Sequence, residues 1–362
     1  MIWFSSLRRE TYKLPLQGRN MGCNLRDLAS PEKITMADLK GKRVGVDAFL
    51  LAFQFLTTIR NVSATGDGRP LTNKDGKIVS HLMGFLGRAS AMVSKGIQPV
   101  FIFDGEHPEM KAEVMSERRM RTLEAETAWK EAMEVGDFKT AQKMAQRCMR
   151  YTPEMVDETM EMLRLMGIPA IRAKAEGEAQ GAVMVANGLL DVVATQDWDA
   201  LLYGAPVLIR NLASDGSKRY GRIIRAEKIV LSEFLSAHEI THEQLVDMGI
   251  MIGTDFHPGI PGIGPKTGLK LIKQYGTIER ICEEKGKEIP ENLDLIRKVF
   301  LQHPVHQFEP NELSMKEVDV SGLKQFLEVE RDFSSGRVEK AIKDLTADKP
   351  IRKDGQTSLF SF

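Results

Sequence analysis

The sequence predicts an α/β fold: a mostly parallel central sheet flanked by helices, extended by a helical arch and a helix–hairpin–helix element. Three observations carry this expectation. Short apolar runs rich in Val, Ile and Phe alternate with helical stretches in two separate parts of the chain, as strands joined by crossover helices do. A long, charged, strongly helix-forming segment lies between those parts. After residue 255 the pattern turns wholly helical to about residue 345.

The first part opens with an apolar run from Lys42 to Asp47, containing Val44 and Val46, and a helical pattern from Phe49 to Arg60. A loop rich in Gly and Asp covers Asn61 to Lys77, and an amphipathic helix is expected from Ser80 to Lys95. Pro99 to Asp104 reads as a second buried strand. The charged segment from Met110 to Arg150 should be helical with a break at Gly136-Asp137. Thr152-Pro153 then opens a helix as cap and first helical residue, and Gly167 closes it. Beyond it, Glu176 to Asn187 reads as helix, with strands at Asp191 to Thr195 and Pro206 to Arg210.

The 362 residues suffice for one large domain or two ordinary ones, and 42% hydrophobic residues can build a substantial core. No apolar run approaches the roughly 18 residues of a membrane span, and Arg8, Arg9, Glu10, Lys13 and Arg19 exclude a secretory signal near the start. Cys23, Cys148 and Cys282 are few, odd in number and widely spaced, which points to a reducing interior and argues against a zinc site. Lys plus Arg equals Asp plus Glu at 50 each, so any affinity for a polyanion must come from separation of the signs in space.

Such separation is visible in the pattern. Asp47 and Asp104 end strands, Asp197 and Asp199 follow a third, Glu176 and Glu178 precede a helix, and Asp255 follows the apolar stretch Leu245 to Ile252. A lone Asp after a strand is ordinarily a turn residue or a helix cap. The pairs spaced by two are sharper, because in extended chain both side chains project to one side. In a parallel sheet the strand carboxyl ends share one edge, so these groups should gather there. Two carboxylates ~4 Å apart at an effective dielectric of ~20 repel by ~4 kcal/mol. A cluster of several must bind cations or shift its titration. Oxygen-only donors favour Mg2+ or Mn2+ over zinc, and two such ions suit phosphodiester hydrolysis, a reaction demanding barrier reductions of ~20 kcal/mol.

Lys111 and Arg118 lie two helical turns apart on one face, where they could offset charge on a phosphate. The stretch Gly259 to Thr267 lacks the Gly-Lys step of a phosphate-binding P-loop, because Pro265 intervenes, and lacks the preceding strand of a dinucleotide fingerprint. It reads instead as a Gly-rich hairpin between helices, able to grip a DNA phosphate through its backbone N–H groups. The last residues place Leu359, Phe360 and Phe362 on a polar end, as either a loose terminus or a plug for a partner's apolar groove.

From Met21 onward the chain resembles the flap endonucleases of the Rad2/XPG superfamily, and it looks archaeal. The resemblance rests on Val44-Gly45-Val46-Asp47, Ser80-His81-Leu82-Met83-Gly84, Phe103-Asp104-Gly105, Glu176-Gly177-Glu178-Ala179, Asp197-Trp198-Asp199, Gly253-Thr254-Asp255 and the hairpin Gly262 to Lys266. It implies a 5′ flap endonuclease with 5′-3′ exonuclease activity, cutting at single-strand/double-strand junctions in Okazaki fragment maturation and base excision repair. By the same resemblance, Asp47, Asp104, Glu176 and Glu178 would hold a first Mg2+, and Asp197, Asp199 and Asp255 a second, with Mn2+ able to substitute. Lys111 and Arg118 would be the cations of the gateway helix. Phe53, Arg60, Arg88, Glu176, Gly253, Asp255, Gly262, Gly264, Lys266 and Thr267 would contact DNA, with K+ at the hairpin. Gln356, Leu359, Phe360 and Phe362 would bind the sliding clamp (PCNA). A monomer in the cytoplasm, at the nucleoid, is expected.

The divisions implied are an N-terminal extension at 1–21, an N-terminal nuclease region at 22–122, the rest of the first arch helix and its linker at 123–139, an internal nuclease region with the hairpin at 140–277, a C-terminal helical region at 278–349 and a clamp-binding tail at 350–362. Family members begin Met-Gly, which Met21-Gly22 matches, so residues 1–20 read as a misassigned start. The tail stops one aromatic short of the usual clamp-binding pair, and Phe53 stands where Tyr is usual. Rival readings each predict a departure from this pattern: a mismatch-repair exonuclease or junction resolvase would carry long extensions or insertions, a non-catalytic junction binder would lack carboxylates, and a small RNase would lack hairpin and arch.

Overall fold

In a computed structural model of the chain, residues 23–106, 111–219 and 222–347 are described. The expected strands and helices form close to their predicted bounds. In chain order they are β1 (Glu32–Ile34), β2 (Arg43–Asp47), α1 (Ala48–Thr58), α2 (Ser80–Ser94), β3 (Gln98–Phe103), α3 (Ala112–Glu134), α4 (Phe138–Arg147) and α5 (Pro153–Leu165). There follow β4 (Ala170–Arg172), α6 (Gly177–Ala186), β5 (Val192–Ala194), α7 (Asp199–Leu202), β6 (Val207–Arg210), β7 (Lys218–Arg219), β8 (Arg222–Ile223) and β9 (Ala226–Val230). The remaining elements are helices: α8 (Leu231–His238), α9 (His242–Ile252), α10 (Pro265–Tyr275), α11 (Ile278–Lys285), α12 (Leu293–Leu301), α13 (Val320–Lys324) and α14 (Ser335–Thr346). The run expected to be wholly helical after residue 255 is interrupted by irregular chain at 286–292 and 302–319, where only Pro310–Leu313 makes a short 3-10 turn.

The main sheet has the strand order β1-β9-β6-β5-β2-β3-β4. Strands β2 to β6 are parallel, β9 runs antiparallel to β6, and β1 antiparallel to β9. Alternate strand residues serve opposite faces. Phe101 and Phe103 join Val44, Phe85 and Met162 in one apolar cluster, while Val100 and Ile102 pack with Ile171 and Val193 on the other side. Strands covered on both faces need continuous apolar runs, which is why β3 is buried from its second residue to its last.

Strands β1, β4, β7, β8 and β9 were not among the expected elements. All but β9 are two or three residues long, too short for a period to register, and β9 interleaves Glu227 and Lys228 with its apolar positions. The charged middle segment breaks where expected: α3 ends at Glu134, Gly136 takes φ 71°, and Asp137 caps α4 by accepting from the Thr140 N–H at 3.0 Å. Thr152 caps α5, accepting from the Met155 N–H, with Pro153 at the first position. No described helix is long and apolar enough to cross a membrane.

Candidate active site

Parallel topology brings the acidic residues to one edge of the sheet. Asp47 is the last residue of β2, Asp104 follows β3, Glu176 stands four residues after β4 at the start of α6, and Asp197 and Asp199 follow β5. Asp255 reaches the same place from the turn after α9. The local and the collective readings of these residues are both correct. Asp47 caps α1, its Oδ1 accepting from the Leu50 N–H at 3.0 Å, while its Oδ2 accepts from Thr195 Oγ1 at 2.9 Å. Asp104 Oδ1 accepts from the Gly177 N–H at 2.7 Å, and a Cβ on Gly177 would lie 2.9 Å from that oxygen, so a larger residue there would press on the Asp104 carboxylate.

The second acidic pair is held from a distance in sequence. Asp199, buried, accepts from the Cys23 N–H at 2.9 Å, and Asp197 Oδ1 accepts from the Asp199 N–H at 3.1 Å. Two protein cations reach the cluster. Lys111 is buried, donates to Glu176 Oε2 and lies 3.3 Å from Asp255 Oδ2; Arg118 grips both oxygens of Asp255 at 2.8 and 3.0 Å. The Lys111 ammonium also stands 5.1 Å from the centre of the Phe256 ring. All nine residues predicted to form the site are thus brought to one place.

Among the described residues, two cations face seven carboxylates. Burial first, then the charge of Asp104, pushes the Asp47 carboxyl up to about 7 against the helping bonds from Leu50 and Thr195. Burial likewise raises Glu178, with Asp47, Asp197 and Asp104 adding repulsion, and raises Asp199, with Asp197 adding more. Burial also dominates the upward shift of Asp197. For Lys111 burial works the other way, but the charges of Glu176, Asp255 and Glu178 overcome it and hold the ammonium at about 12. The site is a frustrated anionic pocket with an oxygen-only donor set, the chemistry that suits a hard divalent cation. Among the described residues no three His, Cys, Asp or Glu side chains already stand as a metal cage, and the acidic side chains nearest the cations are engaged by Lys111 and Arg118.

The other predicted residues are more dispersed. Phe53 on α1 is 44% exposed, an aromatic surface available for stacking. Arg60 instead bonds two carbonyls, Gly68 and Gln142, each at 3.0 Å, fastening the loop after α1 to α4. Arg88 is half-buried on α2, and burial lowers its guanidinium. Gly253 ends α9 at φ 123° and Gly262 takes φ 85°, backbone conformations that L side chains rarely adopt. Gly264 caps α10, whose first turn exposes Lys266 and Thr267. Residues 1–22, including the extension, and the tail residues Gln356, Leu359, Phe360 and Phe362 lie outside the described residues.

Sequence reasoning missed Thr195, Gly177 and Cys23. Thr195 carries a weak signal, a hydroxyl at a strand end two residues before Asp197. Gly177 was visible as the residue between two glutamates. Cys23 had no signal, because its contact with Asp199 spans 176 positions.

Comparison with known proteins agrees with this geometry. Models of the XPG N-terminal domain and the XPG I-region match residues 23–125 and 167–255. A flap endonuclease 1 of Methanosarcina acetivorans is 43% identical over 338 residues, 92% of this chain and 98% of its own. The structure of flap endonuclease-1 from Methanococcus jannaschii matches with a TM-score of 0.68 at 36% identity, covering 90% of this chain and 98% of that one. The catalytic core of Rad2 in complex with DNA substrate shares the fold, with a TM-score of 0.65 at 20% identity and coverage of 89% and 97%. A parallel sheet that gathers carboxylates on one edge, met there by Lys111 and Arg118 from the start of α3, defines the class, that of XPG-type nucleases. Within it, the chain belongs to the flap endonuclease family, hydrolases that cut phosphodiester bonds in DNA.

Proposed function

We propose that this chain cleaves 5′ flaps, and 5′ ends exonucleolytically, at single-strand/double-strand DNA junctions, by hydrolysis supported by two divalent ions. The observation that carries this reading is the excess of carboxylates over the two cations Lys111 and Arg118 at one sheet edge, in a chain of this family. Asp47, Asp104, Glu176 and Glu178 would hold one Mg2+ and Asp197, Asp199 and Asp255 the other, with Mn2+ able to substitute. When bound, the ions supply an acidified water and neutralise charge on the attacking and leaving oxygens.

The chain's own residues do the rest. Lys111 stays charged far above neutral pH and is buried, so its charge acts on a scissile phosphate with little screening. The Arg118 side chain is 42% exposed, so its planar fork can turn from Asp255 to an incoming phosphate. Phe53 offers a stacking face to the nucleobase beside the cut. The exposed first turn of α10, preceded by Gly262 and Gly264, offers backbone N–H groups and Lys266 to the duplex backbone, with K+ as a further bridge.

Such an activity would serve Okazaki fragment maturation and base excision repair, and the reading carries with it a monomer acting in the cytoplasm. The tail Gln356-Thr357-Ser358-Leu359-Phe360-Ser361-Phe362 supports docking on a sliding clamp (PCNA). The test is a double-flap DNA labelled at its 5′ end, incubated with Mg2+ or with EDTA. One short labelled product released at the junction, with Mg2+ only, is expected. Binding without cleavage would overturn the catalytic reading, and stepwise release of mononucleotides would reassign the chain to an exonuclease branch.

A further inference from the structure

The segment carrying Asp197 and Asp199 is short and irregular, yet its two carboxyls repel each other and must still face one point. What restrains it comes from β6, the strand next to β5, and from the antiparallel strands beyond it. Arg210, the last residue of β6, stacks its guanidinium 4.1 Å from the centre of the Trp198 ring, the residue between the two aspartates. Its Nε donates to the Gln196 carbonyl at 3.2 Å, one residue before Asp197. One contact holds the backbone of the turn and the other its central side chain, Trp198.

Arg210 is itself anchored. In the β6–β9 register it stands directly opposite Glu227, and in the β1–β9 register Glu227 stands directly opposite Lys33. Residues opposite one another across adjacent strands project to the same face. The three form a ladder of alternating sign across three strands: Lys33 Nζ donates to Glu227 Oε1, and Glu227 Oε2 lies 3.7 Å from Arg210 Nη1. The Glu227 side chain is 6% exposed and that of Arg210 12%, so the pair is shielded from solvent. That Nη1 atom is buried with no hydrogen bond, which leaves Glu227 as its electrostatic partner. A buried arginine costs free energy unless its charge and donors are used, and here each use points either to Glu227 or to the turn that carries the two aspartates.

We infer that Arg210, anchored by Glu227 and Lys33 across the antiparallel edge of the sheet, is a positioning residue that presets the Gln196–Asp199 turn for the second divalent ion. It touches neither substrate nor ion, and it acts by fixing where Asp197 and Asp199 stand. Groups that orient metal ligands in this way typically govern metal affinity by about tenfold or more. The inference deepens the proposed metal reading and rests on it.

The experiment uses the full chain and Mn2+ alone as the probe, read by electron paramagnetic resonance without DNA. Arg210→Met keeps an unbranched apolar stem but removes the charge, the stacking guanidinium and the Nε donor. Its weaker-binding Mn2+ should dissociate about tenfold more readily than in the wild type, while the affinity for an uncut flap junction in Ca2+ stays within twofold. Glu227→Gln, which leaves Arg210 in place without its anchor, should show a smaller change of the same sign, and Arg210→Lys should recover part of the loss by restoring the charge opposite Glu227. Melting curves in EDTA establish that each variant is folded at the temperature of the measurement; if Arg210→Met is not, Glu227→Gln carries the test. Unchanged Mn2+ affinity in Arg210→Met and Glu227→Gln, with Asp199→Ala showing the expected loss, would overturn the ladder and leave the metal reading intact. A fall in junction affinity with Mn2+ binding preserved would also overturn it, making Arg210 a DNA contact. No Mn2+ binding even by the wild type would instead remove the metal reading on which the inference stands.

Discussion

The molecule contains two acidic clusters that share residue types and differ in electrostatic outcome. At the sheet edge, seven carboxylates meet Lys111 and Arg118, and Asp47 is driven up to about 7 by burial and by Asp104. Behind the α9–α10 turn, Asp247 and Glu279 share Arg297, whose fork reaches both oxygens of each: 2.6 and 2.7 Å to Asp247, 2.6 and 2.9 Å to Glu279. There the hydrogen bonds from Arg297 outweigh burial and hold Glu279 down at about 2. In the second cluster a single arginine reaches four carboxylate oxygens, and these contacts fasten α9, α11 and α12 together. At the sheet edge, among the described residues, seven carboxylates meet two cations, an excess that a cation from outside the chain would offset. How many of a cluster's oxygens a cation of the chain bonds directly, more than the count of acidic residues, separates scaffold from site.

The largest expected effect follows from breaking the frustrated cluster. Asp199→Ala should lower the flap cleavage rate by about 10³-fold, while junction affinity stays within a few fold, because phosphate contacts elsewhere carry binding. Single-turnover rates and a fluorescence binding curve measure the two. Equal loss of both would show that Asp199 serves binding instead of chemistry.

Breaking the satisfied cluster should cost stability and spare chemistry. Arg297→Met strands Asp247, whose side chain is 6% exposed, without its counter-charge. Removing one partner of a buried pair costs about 3 kcal/mol, read as a lower urea midpoint. A variant with wild-type stability would show that the Ile278 N–H, 3.3 Å from Asp247 Oδ2, is partner enough.

The opposite sign is expected at the sheet edge without metal. Asp47→Asn keeps an oxygen to cap α1 and lets the rotatable Thr195 hydroxyl accept from the new amide, while deleting one repelling charge. In EDTA this variant should melt roughly 2 °C above the wild type, about what 1 kcal/mol is worth at this size. Mg2+ should raise the wild type's melting temperature and leave the variant's nearly unchanged. A variant less stable than the wild type in EDTA would mean that the carboxylates are not in conflict.

The two clusters were not equally legible. The strand-end acids could be read from sequence because parallel topology converts a local position, the residue after an apolar run, into a shared place in space. Lys111 and Arg118 could be read because helical spacing fixes a face. Asp247 lies within the apolar pattern of α9, and its partners Glu279 and Arg297 sit on two other short helices whose packing angles no local pattern specifies. The ladder from Lys33 to Arg210 was hidden for a related reason. It depends on the register of β1 and β9, one too short and the other too charged to register as a strand. Arg60 carries a structural role that no local pattern signalled, bonding the carbonyls of Gly68 and Gln142.

The smallest effect tests the satisfied cluster by pH. Glu279 is held down from 4.5 to about 2, so its carboxylate is favoured in the folded state. A depressed acid contributes stability that is complete above its unfolded value and fades as pH falls through the folded one. The contribution from Glu279 should therefore be intact above pH ~4.5 and lost on the way to pH ~2. Because its side chain is 42% exposed, solvent screens the pair, and the contribution at neutral pH should stay below about 1 kcal/mol. Glu279→Gln removes the titrating group while keeping an oxygen for Arg297. Urea midpoints of the two proteins should differ slightly at pH 7 and converge as the pH is lowered through this window. If the gap between the curves stays constant down to pH 2, Glu279 does not titrate against Arg297, and the contrast between the two clusters would rest on Asp247 alone.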